Sequence, residues 1–288
     1  MLQKEWIEKI KGYGHANIEK ADESYIRIMT SNVLHSRADE LPKKTWEERI
    51  DIMSAVYLTF MPDFLGLQEV SYQQTEPFLR HLAEVYATPD TPLGDCINAP
   101  YHGTDYIQNH TPILYNKHKY EVLDSRYHFF ENDGLHGYQW ALYRSKENPA
   151  QKIIHMNMHP HSNSNLNMPG FEEVHEELLH LRRHYPTTPI FLTGDYNASY
   201  TERQMQVLFD GLDMTSGMLV AEQSDGTACF CHPLGSTEYP NAHTAIDHVG
   251  VTTDLVDVKL HRVLLDEVIA KGSDHCPMFI DVAIKAAK

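Results

Sequence analysis

The chain is short of cysteine, of basic residues and of long apolar runs, and each shortage weighs against a class of function. Four cysteines in 288 residues (Cys96, Cys229, Cys231, Cys276) are too few and too unevenly spaced for a disulfide framework, and they fit a reducing compartment. Cys229-Phe230-Cys231-His232 lacks a standard zinc spacing and reads as a loop or strand edge with free thiols. Basic residues number 24 against 40 acidic ones, a net charge of −16. Proteins that hold long nucleic acids neutralise phosphates with Lys and Arg, so this balance disfavours DNA or RNA as the partner. No apolar run approaches the ~20 residues that span a bilayer. The start, Met1-Leu2-Gln3-Lys4-Glu5-Trp6, lacks the apolar core and cleavage site of a signal peptide. The expected location is the cytoplasm, and a secreted form would need a signal segment already removed. No obligate protein partner is indicated. There is no G-x-G-x-x-G, no phosphate loop ending in G-K-S/T and no repeat, which disfavours a doubly wound nucleotide fold.

What is present is a chain with 42% hydrophobic residues and alternating strand and helix signals, enough for one sizeable α/β core. Residues 1–24 read as a short helix and linker, with Trp6, Ile7 and Ile10 at helical spacing; residues 25–288 read as a single domain without an internal linker. Tyr25 to Ser31 alternates as a half-buried strand. Capping boxes at Thr45-x-x-Glu48 and Ser71-x-x-Gln74 open two helices on either side of a short strand, Phe64 to Leu67. Pro89 to Asn109 is a loop by composition. Strands then follow at Pro112–Tyr115, Tyr120–Asp124, Gln139–Tyr143 and Lys152–Met158. His161 to Gly170 reads as a second polar loop and Glu172 to His184 as a helix with Val174, Leu178 and Leu181 in a stripe. Pro189 to Thr193 is a buried strand, Thr201-x-x-Gln204 caps a helix stopped by Gly211, and Ala245–Val251 and Met278–Val282 are the last strands. Strands mixed with helices at both ends of the sequence predict two sheets packed face to face with helices outside.

The chemistry sits where apolar runs end. Asn32 follows the first strand, and its amide suits orienting a carboxylate or a phosphate oxygen. Taken alone, Ser31-Asn32 reads as a turn that satisfies backbone groups. Glu69 follows Leu67-Gln68; a buried, unpaired carboxylate is costly there, and a cation would pair it. Its alternative is a rim glutamate at a helix start. Gly194-Asp195-Tyr196-Asn197 leaves a strand through a glycine, with Asp195 and Asn197 two residues apart and able to point the same way. Ser273-Asp274-His275 places a carboxylate beside a candidate general base, and Asp247, at another strand, could fix the tautomer of the His275 ring. His155, Asn157 and His159 share one face of a strand that runs on to His161. Three histidines in this pattern could bind zinc. The favoured reading instead puts His159 on a phosphate, His155 in the core, and leaves His161 open.

The order of these groups is more specific than any one of them. Asn32, Leu67-Gln68-Glu69-Val70, a strand ending in His159, Gly194-Asp195-x-Asn197, Ile246-Asp247 and Ser273-Asp274-His275 together resemble the endonuclease/exonuclease/phosphatase superfamily over residues 25 to 284. Gly103 to Phe130, with Pro112-Ile113-Leu114-Tyr115 and Tyr120-Glu121-Val122-Leu123, looks like its central section. The resemblance implies a DNase I-like four-layer α/β sandwich, two mixed sheets flanked by helices, and a divalent-metal phosphoesterase using Mg²⁺ or Mn²⁺. By the same analogy Glu69 ligates the metal with help from Asn32 and Asp274. Asp195 orients or activates water, Asn197 and His159 steady the phosphate, and His275 paired with Asp247 is the general acid or base. The chain departs from the pattern at His248, where an aromatic is common, and leaves Asp95 and Asp105 as candidates for a second carboxylate near the central histidine. The acidic composition favours a small or sugar- or lipid-linked phosphoester. A sequence-nonspecific nuclease, and a module that binds metal or phosphate without turnover, are the rival readings.

Overall fold

The computed structural model describes residues 2–35, 46–89, 111–132, 136–225, 232–238 and 245–286. Asp95, Asp105, Thr45, Cys96, Cys229, Cys231 and most of the loop from Pro89 to Asn109 lie outside them. The first strand shows the architecture at once. β1 (Ile26–Asn32) is buried at every position, not on alternate ones. Its Ile26 and Ile28 pack between two sheets, while Met29 packs under helices on the opposite face. A strand covered on both sides needs no polar face, which is why the expected half-buried pattern gives way to full burial. Arg27 tolerates this because its guanidinium forms two 2.7 Å hydrogen bonds to Asp281 and lies 4.2 Å from the Phe279 ring.

Two mixed sheets result. One runs β10 (Gln223–Ser224), β12 (Val256–Val263), β13 (Met278–Ile284), β1, β2 (Phe64–Gln68), β4 (Ile113–Asn116), β3 (Tyr86–Ala87). The other runs β5 (Tyr120–Phe129), β6 (Gly137–Ser145), β7 (Lys152–His159), β8 (Ile190–Asp195), β11 (Asp247–Thr252), β9 (Met214–Ser216). On the first sheet α2 (Trp46–Phe60) brings Ile52, Met53 and Val56 against Met29, Leu65 and Phe279, α1 (Leu2–Gly12) adds Ile10, and α3 (Tyr72–Leu82) adds Phe78 and Leu82. On the second, α4 (Ser164–His184) brings Phe171, Val174, Leu178 and Leu181 against Met156 and Leu192, with Leu208 of α5 (Arg203–Phe209) beside them. Layers of helix, sheet, sheet and helix follow, as the sequence predicts.

Some local expectations change. α4 starts at Ser164, so most of the stretch read as a polar loop is helix: Asn163 caps it by accepting the Asn165 N–H at 3.0 Å, and Gly170 is buried against the Phe130 ring. Glu202, not Thr201, is the N-cap of α5. β12 was not anticipated, although Val256, Val258 and Leu260 alternate with polar residues along it.

Strand direction gathers the polar ends. β1 is parallel to β2, and β7 to β8, while β13 and β11 run antiparallel to β1 and β8. The C-terminal ends of four strands therefore share one edge of the sandwich with the N-terminal ends of two others. Just below that edge the two sheets are joined by polar side chains. Gln68 Nε2 donates to Asn157 Oδ1 at 2.7 Å and to Thr30 Oγ1 at 3.0 Å, Thr193 Oγ1 donates to Asn157 Oδ1 at 2.9 Å, and Asn157 Nδ2 donates to the Leu67 carbonyl at 2.7 Å. His155, one step deeper, shares a 2.9 Å hydrogen bond with Thr193 Oγ1, and its ring lies 5.7 Å from Phe64. Gly66 makes room for this seam: a Cβ there would lie 2.0 Å from Thr193 Oγ1 and 2.6 Å from Asn157 Oδ1.

Gly66→Ala is therefore expected to lower the unfolding free energy by about 3 kcal/mol, the upper range for overpacking, as read by urea denaturation; a variant of wild-type stability would show that the seam is loose. A second expectation follows from His155, whose pKa burial pushes down to about 3. The unfolded imidazole titrates near ~6.5 and binds a proton that the folded one refuses, so this stability is full above that pH and is lost as pH falls toward 3. His155→Gln should flatten the loss between those limits by up to about 1.4 kcal/mol per pH unit. Superimposable acid-stability curves would remove His155 from the balance.

Candidate active site

Three of the seam residues stand two places before a polar residue on the same strand: Thr30 before Asn32, Asn157 before His159, and Thr193 before Asp195. Period two puts each pair on one face, so the site is the next tier above the seam. Glu69 follows Gln68 directly, and its backbone turns into the left-handed region at φ 60°. Asn197 does the same at φ 49°. Left-handed backbone is unusual for residues with a Cβ, and its appearance at two of these positions marks a site held in a specific shape by its surroundings.

Asn32 stands between the sheets. Its Nδ2 donates to Glu69 Oε1 and to Asp195 Oδ2, both at 3.0 Å, while its Oδ1 accepts the Leu34 N–H. Both amide hydrogens are directed to carboxylates, so in this arrangement Asn32 orients two acidic groups. Glu69 Oε2 accepts the His35 N–H at 3.2 Å. Asp195, 2% exposed, has His159 Nε2 at 3.7 Å and His275 Nε2 at 3.8 Å from its Oδ2. The other ring nitrogen of His275 lies 2.9 Å from Asp247 Oδ2, and Asp247 pairs with Asp195 in the β8–β11 register. Asp195 Oδ1 accepts the Asn197 N–H at 2.9 Å, and Asn197 Nδ2 donates to the Pro160 carbonyl at 3.0 Å. A second Nδ2 hydrogen remains on that amide. Ser273 Oγ donates to the Asn32 carbonyl at 2.7 Å and so fixes the segment that carries Asp274 and His275 to the end of β1.

The electrostatics are those of crowded carboxylates. Burial raises the pKa of Asp195, Asp247 and Asp274, most clearly that of Asp247, pushed up to about 7. His275 opposes the rise in all three, and Glu69 adds to it for Asp195 and Asp274. Asp247 Oδ1 and Asp274 Oδ1 are buried without a hydrogen-bond partner. Ligand atoms of Glu69, His159 and Asp195 lie within 4.8 Å of one another, as do those of Asp195, Asp247 and His275. Oxygen-rich groups with one imidazole suit a hard divalent cation.

All eight site residues read from the sequence gather at this edge, with Asp274 carried there between Ser273, bonded to the Asn32 carbonyl, and His275. Of the histidines, His155 is excluded: its strand rises ~3.3 Å per residue, which leaves it roughly 13 Å below His159. His248 is structural. Its ring lies 5.1 Å from Tyr196, Nδ1 is 3.1 Å from Ser216 Oγ, Nε2 is 3.2 Å from the Ala198 carbonyl, and burial pushes its pKa down to about 4. It fills the place expected for an aromatic and steadies the loop after Asp195. Gly194 serves close approach, not a turn: a Cβ there would lie 2.5 Å from the Met158 carbonyl. The sequence reading missed His35, His136 and His232. His232 is 3% exposed, and its N–H donates to the Asp274 carbonyl at 2.7 Å. Only strand pairing and loop return bring these residues in, and no local pattern marks them.

No helix among the described residues is long and apolar enough to cross a membrane. Comparison with solved structures gives the same fold repeatedly. An endonuclease/exonuclease/phosphatase from Bacteroides vulgatus superposes with a TM-score of 0.75 at 20% identity, covering 91% of this chain and 100% of that one. A mannosyl-6-phosphatase from Bacteroides thetaiotaomicron gives 0.74 at 17% identity, over 90% and 99% of the two chains. The human Nocturnin catalytic domain, with bound sulfate, gives 0.66 at 18% identity, over 91% and 95%. No curated protein sequence matches significantly. The family model described as Endonuclease/Exonuclease/phosphatase family matches residues 29–275. That match spans every strand-end group described above, and the chain belongs to the Endonuclease/Exonuclease/phosphatase family of phosphoester-hydrolysing enzymes.

Proposed function

We propose that this enzyme is a divalent-metal-dependent phosphoesterase that cleaves a small, sugar- or lipid-headgroup-linked phosphoester by in-line attack of water. The observation that carries the reading is the Asn32 amide joined at once to Glu69 and Asp195 from two different sheets. Glu69 and Asp274, with Asn32 holding the Glu69 carboxylate, would bind Mg²⁺ or Mn²⁺. The unpartnered Asp274 Oδ1 and the raised pKa of the buried Asp195 and Asp274 carboxyls fit a cation position. Such an ion supplies charge neutralisation at a phosphate oxygen.

The protein groups do the rest. Asp195 orients the attacking water and draws on its proton; it is held by Asn32 and by the Asn197 N–H, so its carboxylate is already aimed. His159 and the remaining Asn197 amide hydrogen steady the non-bridging phosphate oxygens. Asp247 fixes the tautomer of His275 by accepting from Nδ1, which leaves Nε2 for general acid or base work. The net charge of −16 supports a small substrate over a long polyanion. Similarity in fold to a sugar phosphatase agrees with that preference.

Hydrolysis of an aryl phosphoester should require Mg²⁺ or Mn²⁺ and stop in EDTA, and Glu69→Gln should raise the metal concentration needed by about 10–100-fold. Equal rates with and without chelator would remove the metal from the reaction. Asp195→Asn is expected to lower kcat by about 10²–10⁴-fold while circular dichroism stays that of the wild type. Turnover undiminished in that variant would take Asp195 out of the chemistry, and plasmid nicked faster than a small phosphoester would replace the small-substrate reading with a nuclease.

A further inference from the structure

The loop that delivers Asp274 and His275 joins β12 to β13 and is closed at its base, where the Leu264 N–H donates to the Pro277 carbonyl at 2.8 Å. It contains one 3₁₀ turn, Ile269–Lys271, and Asp266 shapes it. Asp266 Oδ1 accepts the Val268 and Ile269 N–H groups at 2.6 and 2.7 Å, and the Asp266 carbonyl accepts the Ala270 N–H at 2.9 Å. The turn ends at Gly272, whose N–H donates to the Ile269 carbonyl at 2.8 Å and where a Cβ would lie 2.5 Å from Met53 Sδ of α2. Ser273 follows at once. It is tied to the Asn32 carbonyl, and its Oγ accepts the His275 N–H at 3.2 Å.

The other oxygen of Asp266 faces the segment that precedes β1. His15 Nε2 donates to Oδ2 at 2.7 Å, and the two side chains are 9% and 4% exposed. The His15 ring meets Phe60 of α2 edge to face with centroids 5.7 Å apart. Ile10 of α1 shares one apolar cluster with Leu264, Val268 and Ile269 of the loop, and the Ile18 carbonyl accepts Arg27 Nη1 at 2.6 Å. The segment is therefore fastened on both sides of His15, although it lies before residue 29, where the family match begins.

One carboxylate thus does two things: it holds the turn with one oxygen and binds His15 with the other. Without the ring, Oδ2 would be left buried and unpartnered, which is costly, and rotation toward water relieves that cost. The same rotation would release the Val268 and Ile269 N–H groups and loosen the turn that sets the path to Ser273. We propose that His15, acting through Asp266, is a positioning residue for Asp274 and His275, so that the segment before β1 is part of the active-site scaffold. This rests on the proposed function, in which Asp274 binds the cation and His275 is the general acid or base. The influence runs along hydrogen bonds from His15 through Asp266, the turn and Ser273 to His275.

The test uses the full chain as wild type, as His15→Gln, which keeps an N–H donor, and as His15→Leu, which keeps bulk without one. The readouts are hydrogen exchange over residues 264–277, the Kd of Mn²⁺ by calorimetry, and kcat and KM for an aryl phosphoester with Mg²⁺. His15→Leu is expected to speed exchange in the loop about tenfold, the scale of one hydrogen bond to a charged group, with β7 and β8 unchanged. It should weaken Mn²⁺ binding and lower kcat, each by about three- to tenfold, with KM little altered. His15→Gln should recover most of each change. Loop exchange or kcat of wild-type size in His15→Leu would overturn the proposal, whatever the change in Tm, and so would equal losses in the two variants. If His15→Leu does not fold, His15→Ala supplies the donorless arm; failure of both to fold would make His15 a stability residue and overturn the proposal as well. If the wild type hydrolyses no phosphoester, the proposed function is at fault and the scaffold is judged by the other two readouts. Faster loop exchange together with weaker Mn²⁺ binding in His15→Leu would then uphold it, and either one unchanged would overturn it.

Discussion

A single amide holds two carboxylates that belong to different sheets. Glu69 closes a strand of one sheet and Asp195 a strand of the other, and their oxygens lie within 4.8 Å of one another in the cluster with His159. Two such charges at that separation repel by about 3–4 kcal/mol at the effective dielectric of a protein site. Asn32 Nδ2 offsets part of this by donating to both, and each donor hydrogen keeps one carboxylate from rotating away. Burial raises the pKa of Asp195, Asp247 and Asp274, with Glu69 adding to the rise at Asp195 and Asp274, and Asp247 Oδ1 and Asp274 Oδ1 are left without partners. The fold thus holds a concentration of negative charge that it does not itself neutralise.

That concentration is tolerable only if the sheets cannot slide, since a shift of one residue would turn every strand-end group to the opposite face. An apolar interior fixes volume well and register poorly. Here the interior is apolar through most of its depth, with Ile28, Phe64, Ile153, Phe191, Val249 and Ile280 between the sheets. It becomes polar in the tier beneath the site, with His155 one step deeper. Gln68, Asn157, Thr193 and Thr30 join there in a pattern that a shifted sheet would leave unsatisfied. Gly66 is the steric condition for that tier, because a side chain would occupy the space of the Thr193 hydroxyl.

The parts of this design written along one strand were legible in the sequence. Short apolar runs ending in Asn32, Glu69 and Asp195 state both where a strand is and what it delivers, and period two links Thr30, Asn157 and Thr193 to the groups above them. Residues placed by pairing between distant segments were not legible. His136 gains its meaning from standing before Gly137, which faces His159 only in the antiparallel register of β6 and β7. His232 reaches Asp274 through a backbone hydrogen bond between segments 42 residues apart in number. The start of α4 was hidden for a related reason. Its polar first turns, with Pro169 among them, read as a loop, and burial of Asn167, Gly170 and Phe171 beneath the rest of the fold decides for helix. β12 is different, since the alternation of Val256, Val258 and Leu260 with polar residues is written along the strand itself.

Recognition of substrate then has to work against the field of the whole chain. A net charge of −16 gives no long-range attraction for a phosphate, and four carboxylates at the site oppose it locally. Under the proposed function the favourable terms are all short-ranged: the cation that Glu69 and Asp274 would bind, and N–H donors from Asn197 and His159. Such terms act only on groups in contact and decay within a turn of helix or a hydrogen-bond length. Each further phosphate of a polymer lying outside this small set of donors meets only the acidic surface. Under the proposed function, selection for a compact ester would follow from this contrast between the local donors and the global charge.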